Sequence, residues 1–144
     1  MGKIDIRDLS VGDWVFHDDI VFGREIAKVH RLDKDNNGET IGIAVYRSDG
    51  AFGVVGYILT SPTNNDIYPI PLTLEILEKN GFRLVVVNKK FNDWHDNNIT
   101  IRKYYNEDNY HLFVCGQKIE FKMLFIHQLQ HALRLAKTGK EITL

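Results

Sequence analysis

The sequence predicts an α+β protein with a strand-rich first half and a second half that joins a short helix and an antiparallel sheet to a C-terminal helix. Short β-branched and aromatic runs separated by turn signals fill the first half, which indicates a small β-barrel or curled sheet of SH3-like character. Near the C-terminus the apolar spacing changes from strand-like to helical, which indicates a helix packed on the second sheet. A chain of 144 residues buries enough surface to fold without disulfides.

The first half, residues 1–71, is predicted to hold four strands with short connections and a short fifth. Asn37-Gly38 separates two apolar runs and predicts a hairpin, because both residues tolerate positive φ. Asp33 to Gly38 also matches the opening of a calcium-binding loop, but Ala44 stands where that loop needs a bidentate Glu, so a hairpin is favoured. The strands are expected near residues 14–16, 24–32, 40–46, 52–59 and 67–68.

The second half, residues 72–144, is predicted to begin with a short helix over residues 73–80. Thr73 is a good N-cap, and Asn80-Gly81 is a typical helix end. Strands are expected over about residues 82–121, starting with a continuous apolar strand at 82–87, and a helix with a wide apolar stripe over about 122–137. Residues 141–144 are a candidate for a short edge strand. Whether the halves share one core stays open.

Charge divides unevenly along the chain. Residues 1–71 carry seven Lys and Arg against eleven Asp and Glu, a balance of −4, and residues 72–144 carry eleven against eight, a balance of +3. A duplex-binding surface needs a dense basic patch, because each neutralised phosphate contributes through counterion release. Neither half has one, so duplex binding is not expected.

Cysteine usage and hydropathy predict a cytoplasmic protein. Cys115 is the only cysteine, which excludes an internal disulfide and a cysteine-based zinc site and fits a reducing compartment. No apolar run approaches the ~20 residues of a membrane-spanning helix. Charges interrupt the N-terminal stretch where a signal peptide needs its apolar core.

Three stretches carry a resemblance to known sequences: GDWV from Gly12, PIPLT-x-EILEKNGF from Pro69, and IHQLQHALRL from Ile126. Together they resemble a set of small uncharacterised proteins of gut-bacterial phages and mobile elements. The resemblance implies an accessory role in such a setting. It implies no activity or catalytic residue.

Few residues have the spacing of a catalytic or metal site. His127 and His131 share one face of the predicted helix, but Gln128 replaces the Glu of a His-Glu-x-x-His motif and no third ligand lies nearby, so an exposed polar face is expected. Cys115 could pair with His111 or His127 as a nucleophile, but a small core residue is favoured. The stretch from Asp93 to Asp96 is expected to be a polar surface loop.

No enzymatic activity, cofactor or metal is predicted, since Gly-rich phosphate loops, Gly-x-Ser-x-Gly elbows and dinucleotide fingerprints are missing. The leading hypothesis is a non-enzymatic interaction module that binds a protein partner, with a second copy of the chain as one candidate. The candidate partner-binding residues are Trp14, Tyr57, Tyr104, Leu124, His127, His131 and Leu135.

Two alternatives belong to other classes. A protein that binds single-stranded nucleic acid would use lysines and arginines beside tyrosines that stack on bases. Its candidate residues are Lys89, Lys90, Arg102, Lys103, Lys118 and Lys122. A metal-dependent hydrolase would use His127 and His131.

Overall fold

The computed structural model describes residues 2–19, 23–47, 54–59 and 66–144, and the account that follows is confined to them. The side chains of Asp19, Tyr46, Arg47, residues 54–59 and Lys122 lie outside the description. The chain divides into two compact units, Met1–Ile70 and Pro71–Leu144. Two antiparallel sheets and two α-helices make the fold α+β, as the sequence predicts.

The first unit is a five-stranded antiparallel sheet. A 3-10 helix at Ile6–Asp8 precedes the strands, whose order in the sheet is β4-β3-β2-β1-β5. Their bounds are β1 Trp14–Asp19, β2 Gly23–Lys34, β3 Thr40–Arg47, β4 Val54–Leu59 and β5 Ile67–Pro69. All pairings are between chain neighbours except the one that joins β1 to β5.

The predicted hairpin at Asn37-Gly38 is confirmed, since β2 and β3 pair antiparallel across it. Gly38 has φ +80°, which glycine adopts without steric cost. The Asp35 carboxylate accepts hydrogen bonds from the backbone N–H groups of Asn37 and Glu39, each at 2.9 Å. This aspartate therefore stabilises the turn.

The core of the first unit lies on one face of its sheet. Val15 pairs with Ala27, and both are fully buried with Val29 and Val45. Because side chains alternate along a strand, Trp14 and Phe16 point to the opposite face. The Lys28 ammonium lies 5.0 Å from the centre of the Trp14 ring, so this aromatic side chain contacts a cation outside the core.

The second unit is an antiparallel meander with two helices. Its sheet order, β10-β9-β8-β7-β6, follows the chain. The bounds are α1 Leu74–Lys79, β6 Arg83–Val87, β7 Phe91–Asp96, β8 Ile99–Tyr104, β9 Tyr110–Val114, β10 Gln117–Met123 and α2 Ile126–Leu135. Thr73 caps α1 as predicted, because its hydroxyl accepts a hydrogen bond from the Ile76 N–H at 3.3 Å.

The second sheet has one apolar and one polar face. Trp94, Ile101 and Leu112 are aligned across β7, β8 and β9 and are buried on the first face. The next aligned row, Asp93, Arg102 and His111, therefore projects from the opposite face. The helix α2 packs against β10, and its Ile126, Leu129 and Leu133 side chains are fully buried.

Three predictions for the second unit are wrong. The stretch from Asp93 to Asp96 belongs to strand β7, not to a loop. The helix α2 begins at Ile126, not near residue 122, because β10 continues to Met123, which pairs with Tyr110. Residues 141–144 form no strand. Instead, the Asn80 side chain donates to the Thr143 carbonyl and accepts from the Thr143 N–H, both at 2.8 Å.

Cys115 also differs from its predicted role as a small core residue. Its side chain is exposed, and Cys115 and Gly116 form the two-residue turn between β9 and β10 with φ values of +51° and +78°. Positive φ at both positions is typical of a type I′ hairpin turn. The register of the hairpin places the turn at Cys115 and Gly116, so the Cys115 thiol cannot lie in the core. Among the described helices, none has the length and apolar character needed to cross a membrane.

Candidate interaction surface on the second sheet

Strand β6 lies at an edge of the second sheet, and most of it is exposed. In the described sheet it pairs with β7 on one side and has no neighbour on the other. Leu84, Val85 and Val87 keep 48%, 58% and 65% of their surfaces exposed. Unpaired backbone groups with exposed β-branched side chains form a template for another strand. We call residues Arg83–Val87 the β6 edge.

The register of β6 explains why its apolar side chains remain exposed. Leu84 is aligned with Trp94 on the apolar face, but at the end of the sheet it has no strand beyond it. A register shift between Leu84 and Val86 places Val85 at a bulge. Leu84 and Val87, which are aligned with Trp94 and Asn92, therefore lie at the exposed margin of the apolar face.

Positive charge surrounds the β6 edge. From residue 79 to residue 92 the sequence contains four basic residues and no Asp or Glu. These are Lys79, Arg83, Lys89 and Lys90, and all four are exposed. Basic residues thus flank the exposed apolar strand in the sequence, and Glu78 and Asp93 are the nearest acidic residues along the chain.

An open pocket lies just beyond the C-terminal end of β6. Its volume is about 360 Å³, and its lining residues are Lys89, Lys90, Tyr104, Tyr105 and Asn106. This volume is at the lower end of the range for small-ligand pockets. We call these five residues the turn pocket, because the lysines lie in the β6–β7 turn.

Hydrogen bonds hold the turn pocket in shape. The Asn88 carboxamide oxygen accepts from the N–H groups of Lys90 and Phe91, at 2.8 and 2.9 Å. The Tyr105 N–H donates to the Lys90 carbonyl at 3.1 Å, and the Tyr105 hydroxyl donates to the Asn92 side-chain oxygen at 2.7 Å. The backbone of the turn and the Tyr105 ring are therefore fixed before any ligand binds.

Arg102 is the centre of a polar and aromatic cluster on the polar face of the second sheet. Its guanidinium donates to both Asp93 carboxylate oxygens at 2.7 and 2.8 Å. The guanidinium carbon also lies 3.7 Å from the centre of the Phe91 ring and 4.9 Å from that of Phe113. The Asp93 hydrogen bonds raise the pKa of Arg102 above its usual value. Arg102 is thus a permanent cation whose charge is already paired.

A second pair on this face joins His111 to Glu107. The His111 Nε2 atom lies 2.6 Å from a Glu107 carboxylate oxygen, and the ring packs edge-on against Tyr104 with centroids 5.3 Å apart. Tyr104 also contacts Phe91 edge-on at 5.5 Å. These contacts fix the Tyr104 ring where it lines the turn pocket. Burial raises the pKa of the neighbouring Tyr110.

The candidate partner-binding residues of the second unit do not form one surface. Tyr104 lines the turn pocket, whereas Trp14 belongs to the first unit. Leu124 and Leu135 are exposed but flank opposite ends of α2. The Tyr57 side chain lies outside the described residues.

The prediction that His127 is solvent-exposed is wrong, since this side chain is 5% exposed. Its ring stacks on Phe125 with centroids 6.0 Å apart and contacts the His131 ring edge-on at 5.9 Å. The C-terminal segment covers the adjoining helix face, where the buried Gln130 accepts a hydrogen bond from the Ile142 N–H at 2.8 Å. His131 is half-buried.

The candidate nucleic-acid residues are also dispersed. Lys89 and Lys90 line the turn pocket, but Arg102 is paired with Asp93. Lys103 donates to the Glu107 carbonyl and lies 5.6 Å from the Tyr110 ring centre. Lys118 is exposed on β10, at the other edge of the sheet, and the Lys122 side chain lies outside the description. Among the five cations whose side chains are described, Lys89 and Lys90 therefore share a site.

A metal site is not apparent in the described part of the chain. No group of three or more His, Cys, Asp or Glu side chains within it has the arrangement needed to hold a metal ion. His127 and His131 are thus neighbours on α2. The described residues place no third candidate metal ligand beside them.

Sequence reasoning missed the β6 edge and the two pocket residues Tyr105 and Asn106. Residues 82–87 were predicted as an apolar strand, without a location in the sheet. The signal that could have located it is the order of a simple meander, which places the first strand at an edge of the sheet.

Comparisons of the chain with models of known families, with curated protein sequences and with solved structures give no significant match. Inferences about function therefore rest on the geometry of the second unit.

Proposed function

We propose that this protein is a non-enzymatic interaction module whose β6 edge binds an extended segment of a protein partner by strand addition. The observation that carries the proposal is the exposure of Leu84, Val85 and Val87 on a strand with a described neighbour on one side only. In strand addition, main-chain hydrogen bonds supply affinity and alternate side chains supply specificity. The β6 edge offers both kinds of contact.

The charge around the β6 edge favours an acidic partner segment. Lys79 and Arg83 lie at one end of the strand, and Lys89 and Lys90 lie beyond the other. Complementary charge raises the association rate and discriminates against wrong partners. The partner segment should therefore combine apolar residues at alternate positions with Asp or Glu near its ends.

The same charges disfavour a second copy of this chain as the partner. An antiparallel pairing of two β6 strands centred on Val85 would bring Lys89 and Lys90 of one copy near Lys79 and Arg83 of the other. Like charges at that spacing repel. A partner of different sequence is the better fit.

We also propose that the first unit is a curled sheet of SH3-like character. Register shifts in β2 against β3, and in β3 against β4, support strong local bending. A closed barrel would need β4 to approach β5, and no such pairing occurs among the described residues.

Selection from a displayed library of random twelve-residue peptides tests the proposed function. We expect enriched peptides to lack proline, to carry β-branched residues at alternate positions and to include Asp or Glu. Their binding should slow amide hydrogen exchange along β6, because a new strand supplies partners to its backbone. Absence of enrichment over the bare support would contradict the proposal.

Paired variants locate the binding site. Val85→Asp with Val87→Asp should weaken the selected peptides at least about tenfold, or ~1.4 kcal/mol, by removing apolar contact and repelling acidic residues. Val11→Asp replaces a similarly exposed valine in the first unit and should leave the affinity unchanged. Equal affinity for all three proteins, measured by fluorescence anisotropy, would exclude the β6 edge.

The charge argument also predicts the oligomeric state. Light scattering should show a monomer at low ionic strength, where repulsion between the basic flanks of two β6 strands is strongest. Leu84, Val85 and Val87 would otherwise favour edge-to-edge pairing. A stable dimer at low salt that Val85→Asp with Val87→Asp dissociates would identify a second copy as the partner.

A further inference from the structure

We propose that the turn pocket binds an Asp or Glu carboxylate of the partner segment, with an adjacent apolar or aromatic residue of that segment against the tyrosine rings. The inference rests on the proposed function, because it assigns the segment that pairs with β6 a second point of contact. It defines the ligand of the pocket as one acidic side chain together with its apolar or aromatic neighbour in the segment.

The position of the pocket supports this assignment. Lys89 follows Val87, the last residue of β6, by two positions. Tyr104 ends β8, and a strand added beside β6 would lie three strand spacings, about 14 Å, from it, so about four or five extended residues beyond the end of β6 reach across the turn to the pocket. The same extended segment can therefore occupy both sites.

The chemistry of the lining supports a carboxylate. The described lining contains two ammonium groups and no carboxylate. Neither lysine forms an ion pair within the described part of the chain, so both charges are available to a ligand, unlike the charge of Arg102. The Tyr104 and Tyr105 rings supply apolar walls, and Asn106 supplies a polar group.

A double-mutant cycle tests the assignment. The tightest selected peptide is compared with versions in which each Glu or Asp is changed to Gln or Asn, against the wild-type protein and against Lys89→Gln with Lys90→Gln. We expect that neutralising one acidic position of the peptide weakens its affinity for the wild-type protein about threefold to tenfold. The same change should leave the affinity for the lysine variant unchanged. Wild-type affinity should fall with salt more steeply than that of the variant.

Controls separate this inference from the proposed function. Lys34→Gln with Lys118→Gln removes the same charge elsewhere and should leave the peptide affinity unchanged. If Val85→Asp with Val87→Asp abolishes binding but no acidic position couples to the lysines, the strand addition stands and the pocket assignment is wrong. If the β6 variants bind normally, the proposed function fails.

Two further outcomes would overturn the carboxylate assignment. A phosphotyrosine peptide that binds more tightly than its Glu counterpart, with the gain lost in the lysine variant, would make phosphate the ligand. Oligothymidine that competes with the peptide, and whose binding falls in the lysine variant, would make the pocket a contact for single-stranded nucleic acid. We expect neither.

Discussion

Arg102→Met is expected to lower the free energy of unfolding of the second unit by about 2–3 kcal/mol. The Asp93 carboxylate accepts two hydrogen bonds from Arg102, and its side chain is only 6% exposed. Removing the arginine leaves this charge in a site that water reaches poorly. Because 23% of the Arg102 side chain is exposed, the loss is smaller than for a fully buried pair. Amide hydrogen exchange of β8 measures this loss in the free energy of unfolding.

Arg24→Met is the matched control for this prediction. Arg24 makes the same two-bond contact with Asp18 at 2.6 and 2.8 Å, but both side chains are more than a third exposed. Water solvates the remaining carboxylate there, so the exchange of β1 and β2 should hardly change. Equal losses at the two arginines would show that burial of the Asp93 pair is energetically unimportant.

A second variant separates charge from packing at this site. Asp93→Leu in the Arg102→Met background removes the remaining charge, so most of the lost stability should return. If it does not, the loss came from the contacts of Arg102 with the Phe91 and Phe113 rings.

The Asp93–Arg102 pair also explains why the sequence predicted a loop in place of β7. The stretch from Phe91 to Asp96 carries two aspartates, a histidine and an asparagine, which resembles a surface turn. Its central carboxylate is neutralised by Arg102, which lies opposite it on β8. A short stretch of sequence around Asp93 contains the carboxylate but not Arg102. The formation of β7 therefore depends on a contact that hydrophobic periodicity does not detect.

Elements fixed by local chemistry were predicted well. The Asn37-Gly38 hairpin and the Thr73 cap each depend on residues within four positions of one another. Contacts between distant positions account for the errors. His127 is buried although its face was expected to be polar: its ring stacks on Phe125, and the C-terminal segment returns to the adjoining helix face at Gln130.

The candidate site was harder to predict than the fold. A continuous apolar run is typical of a strand buried on both faces, yet Leu84, Val85 and Val87 are exposed at an edge. The sequence shows which residues are apolar but not whether a further strand covers them. Likewise, Lys89 and Lys90 were named as cations, but their proximity to Tyr104 and Tyr105 depends on the pairing of β7 with β8.

Leu133→Ala is expected to lower the free energy of unfolding of the second unit by about 3 kcal/mol. The Leu133 side chain is fully buried on α2, within the apolar stripe that the sequence predicts. Removing three carbons leaves a cavity in addition to the lost transfer free energy. Leu135 lies two positions further along the same helix and is 66% exposed, so Leu135→Ala should cost less than about 0.5 kcal/mol.

The two leucines also distinguish the β6 edge from the helix as the interaction surface. Leu135 was a candidate partner-binding residue, and an interface on α2 would make Leu135→Ala weaken the selected peptides without destabilising the fold. Strand addition on β6 predicts instead that Leu135→Ala changes neither affinity nor stability. Leu133→Ala should weaken peptide binding only under conditions that unfold part of the protein, because Leu133 acts through the core. Anisotropy titrations in parallel with urea unfolding would separate these outcomes, and a loss of affinity in the folded Leu135→Ala protein would move the interface to α2.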